Sequence, residues 1–185
     1  DIAYDLLINY ACVDPSYIPI TDWNSERDIW LPQFNVSAII SEPVGVNELL
    51  GELSEQCLFY IWWNERSQEI QLKALRPATE TPTTLSDDNN ILQGSTGITE
   101  EPKERISQVW VFRGQKDPTK SITEDKNYSR VRIRADLDKE SADQYGEQVI
   151  KKIYSRWIDT DAQAINLGAR LLARYKRNPV YMVLG

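Results

Sequence analysis

The feature that most restricts what this chain can fold into lies at residues 46–75, where the apolar period switches abruptly from helical to extended. Val46, Leu49, Leu50, Leu53 and Cys57 fall at i, i+3, i+4, i+7 and i+11, while Glu48, Glu52 and Glu55 occupy the opposite side, which is the pattern of an amphipathic helix. Glu42-Pro43-Val44-Gly45 resets the backbone ahead of it. Two β-prone runs follow, Leu58–Trp63 and Ile70–Leu75, joined in hairpin fashion by Asn64-Glu65-Arg66-Ser67-Gln68-Glu69. The first run is apolar on both faces and is expected to be covered on each. The second alternates Ile70, Leu72 and Ala74 with Gln71 and Lys73, so one of its faces is expected to meet water.

The same mixture continues on both sides of this unit. Asp1 can cap a helix reaching about Cys12, with Ile2, Leu6, Leu7 and Tyr10 on one side, and Asp14-Pro15 ends it. Ile18–Phe34 predicts a short helix around Ser25-Glu26-Arg27-Asp28, flanked by Trp23 and Trp30, and Val36–Ile40 a short strand. Pro77–Lys103 is a polar excursion anchored only by Leu85, Ile91, Leu92 and Ile98, of a length that crosses between subdomains, binds something or stays mobile. Strands are predicted at Ile106–Phe112 and through Arg130, Val131, Arg132, Ile133, Arg134 and Ala135, with a polar loop over Gly114–Asn127 between them.

Ser141–Tyr145 reads as a short helix closed by Gly146. Residues 147–158 carry helical spacing but β-branched and aromatic content, and the strand is preferred. Thr160 and Asp161 open a last helix that lines up Ala164, Leu167, Leu171 and Tyr175, with Ile165, Ala169 and Leu172 beside them. Asn178-Pro179 stops it, and Val180–Leu184 begins another strand. Helices and hairpins in this order make the fold class α+β.

Composition narrows the chemistry. With no histidine and only Cys12 and Cys57, zinc, copper and haem sites lose their usual ligands, and the two thiols read as free core residues. No cofactor is expected. The longest apolar run, Leu58–Trp63, is far short of the roughly 20 residues that span a bilayer, and no charged-then-apolar leader opens the chain. A start at Asp1 and an end at Gly185 just after an apolar run are expected of a piece of a longer protein.

Ser86-Asp87-Asp88-Asn89-Asn90 offers some oxygen ligands for calcium but lacks the glycine and distal glutamate of an EF-hand loop, and reads as a solvated turn. Trp62, Trp63 and Trp110 near Glu65 or Glu69 are conceivable sugar platforms, though aromatic residues in strands more often fill cores and interfaces. No nucleophile elbow, phosphate loop or dinucleotide fingerprint occurs, and no catalytic residue is assigned.

Charge is unevenly spread. Residues 1–125 hold 9 basic against 21 acidic side chains, a balance of −12, whereas residues 126–185 hold 12 against 7, a balance of +5. Arg130, Arg132 and Arg134 fall on one face of a strand, and Arg170, Arg174 and Arg177 form a stripe on the last helix. These six residues are the candidate interface. Given the acidic first part, contact with acidic protein is preferred over nucleic acid.

Several runs carry a resemblance. Glu42–Leu50, Leu58–Arg66 and Glu69–Leu72 are similar to the helix and hairpin of bacteriophage and prophage tail-hub and tail-tip proteins. Arg105–Val111, Lys120–Tyr128, Glu140–Gly146, Ile153–Ile158 and Ala169–Tyr175 resemble the strand, polar loop and closing elements of a second hub domain. The likeness spans about residues 40–180. It implies small, β-rich, barrel-like hub subdomains with peripheral helices and mostly antiparallel strands. On that layout residues 1–40 are a helical connecting segment, 41–103 a first hub subdomain with its long loop, and 104–185 a second.

The resemblance further implies a non-enzymatic virion protein, folded in the bacterial host cytoplasm. Such a protein forms a ring, commonly a homotrimer, that joins the tail tube to tip or fibre proteins while the genome passes through without specific binding. The alternative expectation is a carbohydrate-binding or cell-wall-degrading tail module.

Overall fold

The structure is a computed structural model in which residues 2–76, 97–100, 105–136, 148–176 and 180–183 are described. Asp1, residues 141–146 and Asn178-Pro179, to which a cap, a short helix and a helix stop were assigned above, lie outside them.

Helix α1 (Ile2–Asp5) widens into a π-helical turn over Leu6–Tyr10. A wider turn advances fewer degrees per residue, so Leu6 and Leu7 are buried while Tyr10, expected beside them, is exposed. Cys12 is likewise exposed rather than in the core, at a φ of 56° where the chain turns away from the helix. Asp14 accepts a hydrogen bond from Ser16 N–H at 2.8 Å and opens a 3-10 turn, Pro15–Tyr17. Helix α2 (Ile20–Trp30) then buries Trp23, whose Nε1–H donates to the Ile70 carbonyl at 2.9 Å.

The strand expected at Val36–Ile40 does not form. Ser37 N–H donates to the Trp157 carbonyl at 3.3 Å, but no neighbouring strand of the described residues runs alongside, and Ile39 and Ile40 are exposed. β-branched content without a ladder partner leaves the segment extended and irregular.

Helix α3 (Val46–Cys57) has the expected limits and buries Leu49, Leu53, Gln56 and Cys57. Leu58 does not begin the next strand. It caps the helix in the left-handed region at φ 59°, its N–H on the Ser54 carbonyl, and the turn it makes delivers the chain into β1 (Phe59–Asn64). Strand β1 pairs antiparallel with β2 (Glu69–Ala74), in register from Phe59 opposite Ala74 to Asn64 opposite Glu69.

Phe59, Ile61, Ile70 and Leu72 pack against a cluster of Ala3, Leu7, Ile18 and Trp23. Phe59 also packs on a second cluster of Leu6, Leu49, Leu53, Cys57 and Trp157. The other face of β1, expected to be covered, is open: Tyr60 is 49 % and Trp62 37 % exposed. Among the described residues the pair is a two-stranded sheet packed on one side, so Tyr60 and Trp62 are left outward.

Within the polar excursion 77–103, Gly97–Glu100 form β3, antiparallel to β7 (Val180–Val183), with Ile98 opposite Met182. Residues 77–96 and 101–104 lie outside the described residues. Strand β4 (Gln108–Gln115) runs three residues past the expected end at Phe112, so the following loop starts at Lys116 and not at Gly114. Strands β5 (Tyr128–Ala135) and β6 (Ile150–Tyr154) complete a sheet of order β5-β4-β6.

Lys116 N–H to the Asn127 carbonyl and Asp136 N–H to the Ser107 carbonyl make β5 antiparallel to β4. Ser107 N–H to the Val149 carbonyl and Ser155 N–H to the Phe112 carbonyl make β6 parallel to it.

Helix α4 (Asp161–Tyr175) is opened by a reciprocal cap. Thr160 Oγ1 accepts from Gln163 N–H at 3.3 Å while Gln163 Oε1 accepts from Thr160 N–H at 3.2 Å. Ala164, Leu167, Leu171 and Leu172 are buried as expected, but Ile165 lies off that stripe and is exposed.

Helices and mainly antiparallel pairs make this an α+β fold. The chain divides into two compact units: residues 1–76, 111–132 and 154–167, and residues 77–110, 133–153 and 168–185. In the second unit Ile106, Val109, Ile153, Leu171 and Leu172 are buried, and Ile106 N–H donates to the Tyr175 carbonyl at 2.8 Å. Among the described residues no helix is long and apolar enough to cross a membrane.

Candidate interface

Five of the six candidate arginines are exposed and carry different duties. On β5, Arg130 and Arg132 reach the carboxylate of Asp161, the first residue of α4; Arg130 Nη1 lies 3.6 Å from Oδ2, and Arg132 Nη2 donates to the same oxygen. Arg113 on β4 completes the cluster from below, donating through Nε to Asp161 Oδ1 at 2.7 Å and through Nη1 to the Asp159 carbonyl. Arg113 is buried, whereas Arg130 and Arg132 remain 62 % and 44 % exposed at their side chains.

Hydrogen bonds from Arg132 and Arg113 hold the Asp161 carboxyl well below the usual carboxylate range, against a smaller opposing effect of burial. Three guanidiniums therefore share one carboxylate, and two of them face water.

Arg134, on the same strand, and Arg170, on α4, are exposed. Arg174 is also exposed and lies over the Tyr175 ring, 5.5 Å from its centroid. Arg177 lies outside the described residues. Nothing local in the sequence foretells the partnership of Asp161 with Arg113, 48 positions away; the residue reads there only as a carboxylate suited to a helix N-terminus.

The second surface is the outward face of the hairpin. Tyr60 and Trp62 stack on each other, centroids 5.1 Å apart and 26° between planes, with Lys73 and Gln71 opposite them on β2. Trp63 points to the other face and meets Tyr17 edge-on at 5.6 Å. Trp62 and Trp63 therefore do not share one stacking platform, and one face of Trp62 is turned toward Tyr60.

Buried polar groups in the first unit tie distant segments together. Glu26 of α2 accepts from Ala74 N–H at 3.0 Å and Arg76 Nε at 3.0 Å, and pairs with Lys73 at 3.4 Å; Arg76 in turn covers the Trp30 ring at 4.8 Å. Burial pushes the Glu26 carboxyl up, but the hydrogen bonds from Arg76 and Ala74 and the Lys73 charge outweigh it and hold the group below its ordinary value. Glu52 of α3 receives Trp157 Nε1–H at 2.8 Å and Arg156 at 3.0 Å. Ser155, fully buried, donates to Gln56 Oε1 and accepts from the N–H groups of Trp157 and Ile158.

Two of this unit's cavities border α3. One, of about 270 Å³, is lined by Trp23, Leu31, Phe34, Cys57 and Leu72 together with Asn24. The other, of about 690 Å³, runs between the π-helical turn and residues 36–46. Burial pushes the Cys57 thiol up to about 12, so it stands in the first cavity as a neutral apolar group and not as a nucleophile. The oxygen-rich run Ser86–Asn90 lies outside the described residues. In comparison with known proteins, no family model matches this chain and no curated protein does.

Proposed function

We propose that this chain is a structural component of a phage or prophage tail hub or tip, joining tube to tip or fibre within a ring-shaped oligomer. The observation that carries the reading is the uncharged aromatic face of β1. Phe59–Asn64 lies within the segment whose residues resemble hub proteins, and Tyr60 and Trp62 are exposed there on a strand free of charged side chains. Aromatic side chains left outward on an uncharged strand fit a surface that a neighbouring subunit covers.

The polar chemistry supports the same reading. Glu26, Glu52, Gln56 and Ser155 lock separate chain segments to one another, as a scaffold requires. The exposed arginines suit contact with acidic protein surfaces, and the −12 balance of residues 1–125 suits a channel past which DNA slides.

The test is composition. Mass spectrometry of tails purified from the encoding phage or prophage is expected to find this chain at a fixed ratio to the tube protein, and its disruption to give tails without a tip. Intact, infectious tails lacking the chain contradict the proposal, and release of peptidoglycan fragments by the purified chain points to the cell-wall alternative.

A further inference from the structure

Among the described residues strand β5 stands at the end of the order β5-β4-β6, and every residue from Ser129 to Arg132 is exposed. Edge strands ordinarily end early, bulge away or lie under a loop, because a row of unpaired N–H and C=O groups invites another strand. Here the alternation is sharp. Arg130 and Arg132 occupy one face, and Val131, 39 % exposed, the other.

Asp161 displays the chemistry that the arginine face takes: a carboxylate held by guanidiniums that outnumber it three to one. We infer that β5 is an acceptor edge for an extended acidic segment of a neighbouring subunit. That segment adds as a further strand, its carboxylates on Arg130 and Arg132 and its aliphatic side chains against Val131. Main-chain pairing supplies affinity, and the alternation supplies selectivity. The inference rests on the hub reading for the origin of the segment, while the edge itself is a property of this chain.

The probe is a capped, fluorescent peptide of about eight residues, alternating glutamate and valine, long enough to match a strand. It is compared with a lysine–valine peptide and with a copy N-methylated at every residue, which has no N–H left to donate into the ladder. The glutamate–valine peptide is expected to bind the whole chain, to slow amide exchange at Ser129–Arg132, and to weaken about ten-fold with either control or with Arg130→Glu. Arg130→Gln, which keeps a polar side chain without reversing charge, is expected to fall between; circular dichroism confirms that each variant is folded.

Equal affinity for the lysine–valine peptide, unchanged exchange on β5, or tighter binding of a DNA oligonucleotide than of the peptide overturns the inference. A chain that enters tail particles yet ignores the peptide removes the β5 role and leaves the hub reading intact. Peptide binding by a chain that is missing from tails supports the edge and removes the hub reading.

Discussion

Gly114 is held at a φ of +67°, and a Cβ built there would stand 2.3 Å from the Ser129 hydroxyl on the facing strand. The backbone selects glycine, and the hydroxyl must turn away about χ1 to admit a side chain. Gly114→Ala is expected to cost about 2 kcal/mol in urea unfolding, and Gly114→Ala with Ser129→Ala to recover only the steric part of that loss. Leu58 shows the opposite balance, since a left-handed residue with a side chain is tolerated there because that side chain is buried.

Glu26 has its own signature. Glu26→Gln keeps the shape but removes the negative charge that Arg76 and Lys73 share, and a loss of about 2 kcal/mol is expected because both cations still reach solvent. Its folded pKa is depressed, so the stabilisation is complete above the unfolded value of about 4.3 and is lost as pH falls through the folded one. Thermal melts of the parent are therefore expected to drop more steeply below pH ~4.3 than those of Glu26→Gln; parallel curves would remove the clamp.

At the scale of elements, the cap of α4 is the cleanest target. Thr160→Ala removes the hydroxyl that receives Gln163 N–H, and about 1 kcal/mol of stability is expected to go with it in thermal or denaturant melts. This helix, α3 and the hairpin were legible in the sequence because each carries an unbroken period and a boundary residue: Thr160 for α4, Gly45 for α3 and the polar connector for the hairpin. Val36–Ile40 misled because apolar, β-branched residues indicate strand tendency but not whether a partner strand is present.

The covered and open faces of β1 could not be told apart for a related reason. Phe59, Tyr60, Ile61, Trp62 and Trp63 are all hydrophobic, so only the register with β2 decides which residues turn outward. Of the candidate interface, the alternation of Arg130 and Arg132 was readable. Their convergence on Asp161, with Arg113 beneath, depends on how β4, β5 and α4 are brought together in the first unit, and no local pattern encodes it.

For the molecule as a whole, stability and assembly are expected to separate. Tyr60 and Trp62 contribute to the hairpin chiefly through their own stack, so Tyr60→Ser with Trp62→Ser is expected to cost about 1.5 kcal/mol in unfolding, leaving the chain folded, while blocking entry into the tail. A large fall in stability with assembly retained would mean that this face serves the fold and not a partner.

The most direct measurement is hydroxyl-radical footprinting of the chain, free and within purified tails. Strong protection of Tyr60 and Trp62 in the particle is the expected result; equal oxidation of both residues in the free and assembled states would contradict the account.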